Sequence, residues 1–103
     1  MRTVSANLRN GSVDPGWLRE LVQALRADVV VLQEADPPHF EVLSADLPHG
    51  RFDPGEDHTG MGIALRGPAK TSAIPLAWRY AQQARLDPAD WPELTRPLAI
   101  MNI

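Results

Sequence analysis

The chain of 103 residues contains no cysteine, which excludes a disulfide scaffold, a thiolate nucleophile and a Cys-ligated zinc centre. Lysine is almost absent too: the basic side is nine arginines and Lys70, with no arginine cluster, and against 13 acidic residues the net charge is −3. That balance argues against a non-specific nucleic-acid binder, which needs a basic surface to displace counterions from phosphate. An enzyme that handles phosphate through a metal ion stays open. Long apolar runs are missing as well. None is longer than Val29 to Leu32, far short of the ~20 residues that span a bilayer. The opening MRTVSANL has no apolar core and no small-residue cleavage pattern, so no signal peptide is expected and the expected location is cytoplasmic. There is no internal repeat and no low-complexity tract. What is present is ordinary globular chemistry, 44% apolar and 22% charged, enough to predict a core in one domain.

Prolines and glycines fall between periodic segments and punctuate them. Thr3 to Leu8 alternates, with Val4, Ala6 and Leu8 on one face and Thr3, Ser5 and Asn7 on the other, the period of a strand. Asn10-Gly11-Ser12 breaks it. Asp14-Pro15 reads as a helix start, since Asp caps orphan amides and proline at the first helical position loses no hydrogen bond. Trp17, Leu18, Leu21, Val22 and Leu25 form one apolar stripe and predict an amphipathic helix to about Ala27. Asp28 to Glu34 is a β-branched run without alternation, the reading of a strand covered on both faces. Strand, helix, strand is a βαβ unit.

That unit carries the main inference. Its crossover makes the two strands parallel, so Asn7 and Glu34, ending the first and second strands, emerge on one rim of the sheet. Ligands of open α/β sheets bind outside the carboxyl ends of strands, so an amide and a carboxylate placed there are candidates for a shared site. If the strands are not direct neighbours, the side chains need not touch. From the residues alone, Glu34 also reads as an exposed strand-end carboxylate and Asn7 as an amide that bonds its own turn.

Further on, Asp36-Pro37-Pro38 repeats the cap-plus-proline signal, and Phe40, Leu43 and Leu47 suggest a second helix ending near Leu47. His49 to Gly60 reads as a polar loop with a brief strand at Arg51-Phe52. Met61, Ile63 and Leu65 predict a strand that Gly67-Pro68 terminates, with Thr71 to Ile74 as its hairpin partner. Between Pro75 and Glu93 only a helical turn at Pro88 to Trp91 is assigned, and Leu98 to Ile103 reads as a buried strand.

A strand ending in Asn7, a glycine turn, an amphipathic helix and a buried strand ending in Gln33-Glu34 resemble the start of the endonuclease/exonuclease/phosphatase superfamily. Gly60-Met61-Gly62-Ile63-Ala64-Leu65-Arg66 looks like that family's next strand, and Arg96 to Ile103 like the strand leading to its first catalytic histidine. The resemblance spans the chain in order, and it implies an α/β fold: the amino-terminal half of a two-sheet α/β sandwich, with a βαβ start, a mixed sheet and flanking helices, residues 1–103 forming one partial domain. The family's second half is expected to supply the second sheet.

The resemblance further implies metal-dependent hydrolysis of a phosphoester, in a nucleic acid, phospholipid or sugar phosphate. Glu34 matches the family's metal-ligating glutamate, for magnesium with manganese as a substitute. Asn7 matches the asparagine that orients metal and phosphate oxygens, although Ala6 stands where the family commonly has an aromatic. The chemistry agrees, because magnesium takes hard oxygen donors and often only one or two protein carboxylates. The family's nucleophile-activating histidines and aspartates have no match in the chain, so by itself it is expected to be inactive or nearly so, with an exposed apolar sheet face and poor solubility.

Other polar residues read more plainly. Asp53 to Gly60 holds three carboxylates and His58, a set that could bind a cation, but its spacing fits neither an EF-hand nor a zinc signature and it reads as a solvated loop, from which His58 is a candidate to face substrate phosphate at the rim. His39 and His49, beside prolines, read as surface residues. Trp17 reads as core, and Trp78, Tyr80 and Trp91 as packed or half-packed rather than as stacking platforms. A second class of function is a non-catalytic α/β module that binds a partner chain through an exposed sheet face or an open edge at Leu98 to Ile103.

Overall fold

The structure is a computed structural model, and it describes residues 1–77 and 80–103. Trp78 lies outside the described residues. The order is β1 (Thr3–Asn7), α1 (Pro15–Leu25), β2 (Val29–Ala35), α2 (Pro37–Glu41), β3 (His49–Asp53), a 3-10 turn (Glu56–His58), β4 (Gly60–Leu65), β5 (Lys70–Pro75), β6 (Tyr80–Leu86) and β7 (Leu98–Asn102). The strands form two sheets, one ordered β1-β2-β4-β3 and the other β5-β6-β7. β1 and β2 are parallel direct neighbours, with Asn7 opposite Gln33, and β4 runs antiparallel to both β2 and β3. The α/β sandwich is therefore present, but its second sheet begins within this chain instead of awaiting another segment.

The unalternated apolar run of β2 is explained by burial on both faces. Val30 and Leu32 pack with Leu18 and Val22 of α1 and with Leu43 and Leu47 beyond α2, while Val29 and Val31 pack with Ile63, Leu65, Ala84, Leu86 and Trp91 between the sheets. Helices thus cover one face of the first sheet and the second sheet covers part of the other. Trp91 is fully buried, donating its indole N–H to the Pro68 carbonyl at 2.7 Å, and the turn before it is closed by Trp91 N to Asp87 O at 3.0 Å.

Several expectations need correction. Trp17 is 55% exposed, because the buried line of α1 runs through Leu18 and Val22, about 100–140° round the helix from Trp17. His39 is buried: its Nδ1 accepts the Asp36 amide at 3.0 Å and its Nε2 donates to the Val13 carbonyl at 2.7 Å, with the tautomer assigned from these partners. α2 ends at Glu41, where the Ser44 hydroxyl donates to the Glu41 carbonyl at 2.7 Å, although Leu43 and Leu47 stay buried as their spacing predicts. β5 pairs with β6 rather than with β4. β6 itself is an addition, and its first residue, Tyr80, is 54% exposed instead of packed. β7 is an edge strand, bonded only to β6 among the described residues, with Leu98 and Met101 exposed and Asn102 buried. No helix among the described residues is long and apolar enough to cross a membrane.

Candidate functional site

The second sheet leaves the cleft-facing side of β1 open, and a cleft of ≈1180 Å³ lies there, between the carboxyl ends of β1 and β2 and the end of β7. Strand parity decides what enters it. Val4 and Ala6 face the helices, so Ser5 and Asn7 face the cleft, and both line it.

Glu34 reaches the cleft by a less regular route. Alternation from Val30 and Leu32 would place Glu34 on the helix side. Instead the β2–β4 register shifts between Leu32 and Ala35, Glu34 takes a left-handed φ of 53°, and Ala35 takes the helix-side position among the buried residues. The extra residue of the bulge leaves Gln33 and Glu34 both lining the cleft, the re-aiming that bulges achieve. A left-handed turn after β1 braces it. Arg9, Asn10 and Gly11 all have positive φ, Asn7 Oδ1 accepts the Arg9 amide at 2.9 Å, and the Gly11 amide donates to the Glu34 carbonyl at 2.9 Å. Gly11 fits because a side chain there would collide with Asp36 and His58.

The two residues singled out by sequence are therefore brought together. Asn7 carries out the turn-forming role with its Oδ1, and its amide nitrogen has no protein partner among the described residues. His58 is placed differently: its Nδ1 meets Asp36 Oδ2 at 2.6 Å, it is more than half exposed, and it is not among the residues lining the cleft. Its neighbours Glu56, Asp57 and Thr59 form the rim instead.

The opposite wall carries Asp53. Its carboxylate accepts Arg51 Nε at 2.7 Å and Gln82 Nε2 at 2.9 Å. The Arg51 bond, aided by Gln82, outweighs burial and holds the Asp53 carboxyl below its ordinary range. Between the walls, buried Asn102, which lines the floor of the cleft, bonds Gln82 behind it at 2.9 Å. Sequence reasoning missed Asp53, Gln82 and Asn102 as site residues. Asp53 carried a signal, an acidic residue ending a short strand, whereas an Asn or Gln within a strand carries none until its neighbours are known.

Electrostatically the cleft is acidic. Glu34, Asp53, Glu56 and Asp57 line it, and among the described residues neither lysine nor arginine does. The four carboxylates repel a phosphate that enters without a cation. The donors present are carboxylate and amide oxygens, which suit a hard divalent cation. Among the described residues no three His, Asp or Glu side chains converge as a metal cage.

A family model described as the Endonuclease/Exonuclease/phosphatase family matches residues 4–99 of the chain. No curated protein matches it.

Proposed function

The chain belongs to the endonuclease/exonuclease/phosphatase family, whose members hydrolyse phosphoesters and generally depend on a divalent metal, and on that premise we propose that this cleft is a magnesium-dependent phosphoester site. The observation that carries the proposal is the β2 bulge, which turns the Glu34 carboxylate out of the helix-side core and into an acidic cleft beside Asn7. Glu34 is the cation ligand. Asn7, with its Oδ1 held by the Arg9 amide, has a pre-oriented Nδ2 that donates to a phosphate oxygen. A bound divalent cation supplies charge neutralisation at phosphate and stabilisation of the leaving oxygen. The acidic rim then favours substrate only in company with that cation.

Water activation is a separate matter. None of His39, His49 and His58 lines the cleft, so no imidazole of the chain stands there to take a proton from water. We therefore assign the chain the metal-holding side of the site and expect its own turnover of a phosphodiester to be slight. Glu34→Gln keeps size and removes charge, so it is expected to weaken Mn²⁺ binding, read by electron paramagnetic resonance of the free ion, by about tenfold or more. Unchanged affinity overturns the ligand assignment. Robust magnesium-dependent turnover by the chain, abolished in Glu34→Ala, overturns the expectation of slight activity.

A further inference from the structure

Asn102 is 1% exposed, and its side chain bonds the opposing sheet and Gln82 of its own sheet. Its Nδ2 donates to the Leu32 carbonyl at 3.0 Å, the Gly62 carbonyl at 3.1 Å and Gln82 Oε1 at 2.9 Å, and its Oδ1 accepts Gln33 Nε2 at 2.8 Å. Two hydrogens serve three acceptors, so one is shared. The placement of these partners is specific. Leu32 and Gly62 face each other at the last regular step of the β2–β4 ladder, before the register jumps to Ala35 opposite Gly60. Gln33 is the first residue inside the bulge. One side chain from β7 thus bonds both carbonyls at the bulge's root and the amide of its first inserted residue. Through Gln82, whose Nε2 donates to Asp53 Oδ2 and to the Met61 carbonyl, each at 2.9 Å, the same amide is tied to the far wall of the cleft.

We infer that Asn102 is a positioning residue for Glu34: from the second sheet it fixes the β2 bulge and so the direction in which Glu34 presents its carboxylate to the cleft. Its consequence for cation binding rests on the reading of Glu34 as the ligand, while its hold on the bulge does not. A plain packing role would be served as well by leucine, which has a similar volume. The physical difference is that leucine leaves two strand carbonyls and two glutamine side chains without their buried partner, and the ladder at that point is then free to relax toward regular alternation.

The test uses Asn102→Leu in the whole chain with two readouts. The amides of Leu8 and Gly11 donate to the carbonyls of Gln33 and Glu34, both at 2.9 Å, so their hydrogen-exchange protection reports the bulge directly. In Asn102→Leu it is expected to fall about tenfold or more relative to that of Val22 in α1. Mn²⁺ affinity is expected to fall about tenfold as well, with no further loss when Asn102→Leu is added to Glu34→Gln. Protection at Leu8 and Gly11 that tracks Val22 overturns the inference. Lost protection with full Mn²⁺ affinity reduces Asn102 to a structural role and overturns it too. Should Glu34→Gln itself leave Mn²⁺ binding unchanged, the cation reading fails and the exchange readout alone decides for or against Asn102. If Asn102→Leu does not fold, Gln33→Met, at a half-buried position, severs the Asn102 Oδ1 bond at 2.8 Å together with a longer one to the Ser5 hydroxyl at 3.4 Å, which Ser5→Ala removes alone; Gln33→Met must give the same local loss of protection to a smaller degree and beyond that of Ser5→Ala, and its absence overturns the inference.

Discussion

Glu34 sits in the left-handed region with φ 53°, a conformation that costs a non-glycine residue about 1–2 kcal/mol. The cost is explained by what it achieves, a carboxylate aimed into the cleft instead of under the helices. Glycine adopts this φ without strain but gives up chain entropy, so Glu34→Gly is expected to leave stability unchanged or to raise it by up to about 1 kcal/mol, while Mn²⁺ binding is lost. A clear drop in melting temperature would show that the Glu34 side chain supports the fold, against the present account. Much at this scale is legible from sequence. Asn7 follows from strand alternation, and Glu34 from its place at the end of a buried run. His39 does not follow, because its burial depends on the Val13 carbonyl, 26 residues away, receiving its Nε2. Trp17 fails for the opposite reason: a broad apolar stripe states which residues lie on one side of a helix, and only the neighbouring sheet states how much of that side is covered.

Among the elements, the βαβ unit is readable because each part carries its own signal: alternation in β1, the Asp14 cap that accepts the Trp17 amide at 2.9 Å, and a doubly covered run in β2. β6 has no such signal. Its inward positions are Gln82, Ala84 and Leu86, buried together, and a glutamine at an inward position breaks the apolar alternation by which a strand is recognised. The strand at His49–Asp53 is longer than the two residues expected because Gly50 lets it lie close to β4. Gly50 has φ 134°, and a Cβ there would strike the Ile63 carbonyl in the adjacent strand. Gly50→Ala is therefore expected to cost at least about 2 kcal/mol, a fall in melting temperature of roughly 10 °C for a chain of this size. An unchanged melting temperature would mean that β3 does not hold this register. The edge at β7 was expected to be buried, and its alternation is instead the pattern of a strand with one covered face, with Asn102 as the buried member.

At the scale of the whole molecule, two kinds of contact join the sheets: an apolar layer centred on Trp91, Leu65 and Leu86, and the polar chain from Gln33 through Asn102 and Gln82 to Asp53. The polar chain makes the joint sensitive to acid. Asp53 is held below its ordinary carboxyl range, so it contributes stability that is present above about pH 4 and is lost as the pH falls through its lowered value. Asp28 behaves in the same sense: burial pushes it up, but the Arg2 amide and the Arg66 guanidinium outweigh burial. Asp53→Asn is accordingly expected to melt below the parent at pH 7, with the gap narrowing as pH drops below about 4. An equal gap at pH 7 and pH 3 would count against Asp53 as an ionised link between sheets. By itself the sequence determined the parallel strand pair and the shared rim of Asn7 and Glu34, because both depend on local pattern and on the handed geometry of one βαβ unit. Tertiary structure decided the rest. Whether Glu34 faces the helices or the cleft depends on the register of β2 against β4, and that register is braced by an asparagine almost seventy residues away, a relation between strands in different sheets that periodicity within any one strand does not encode.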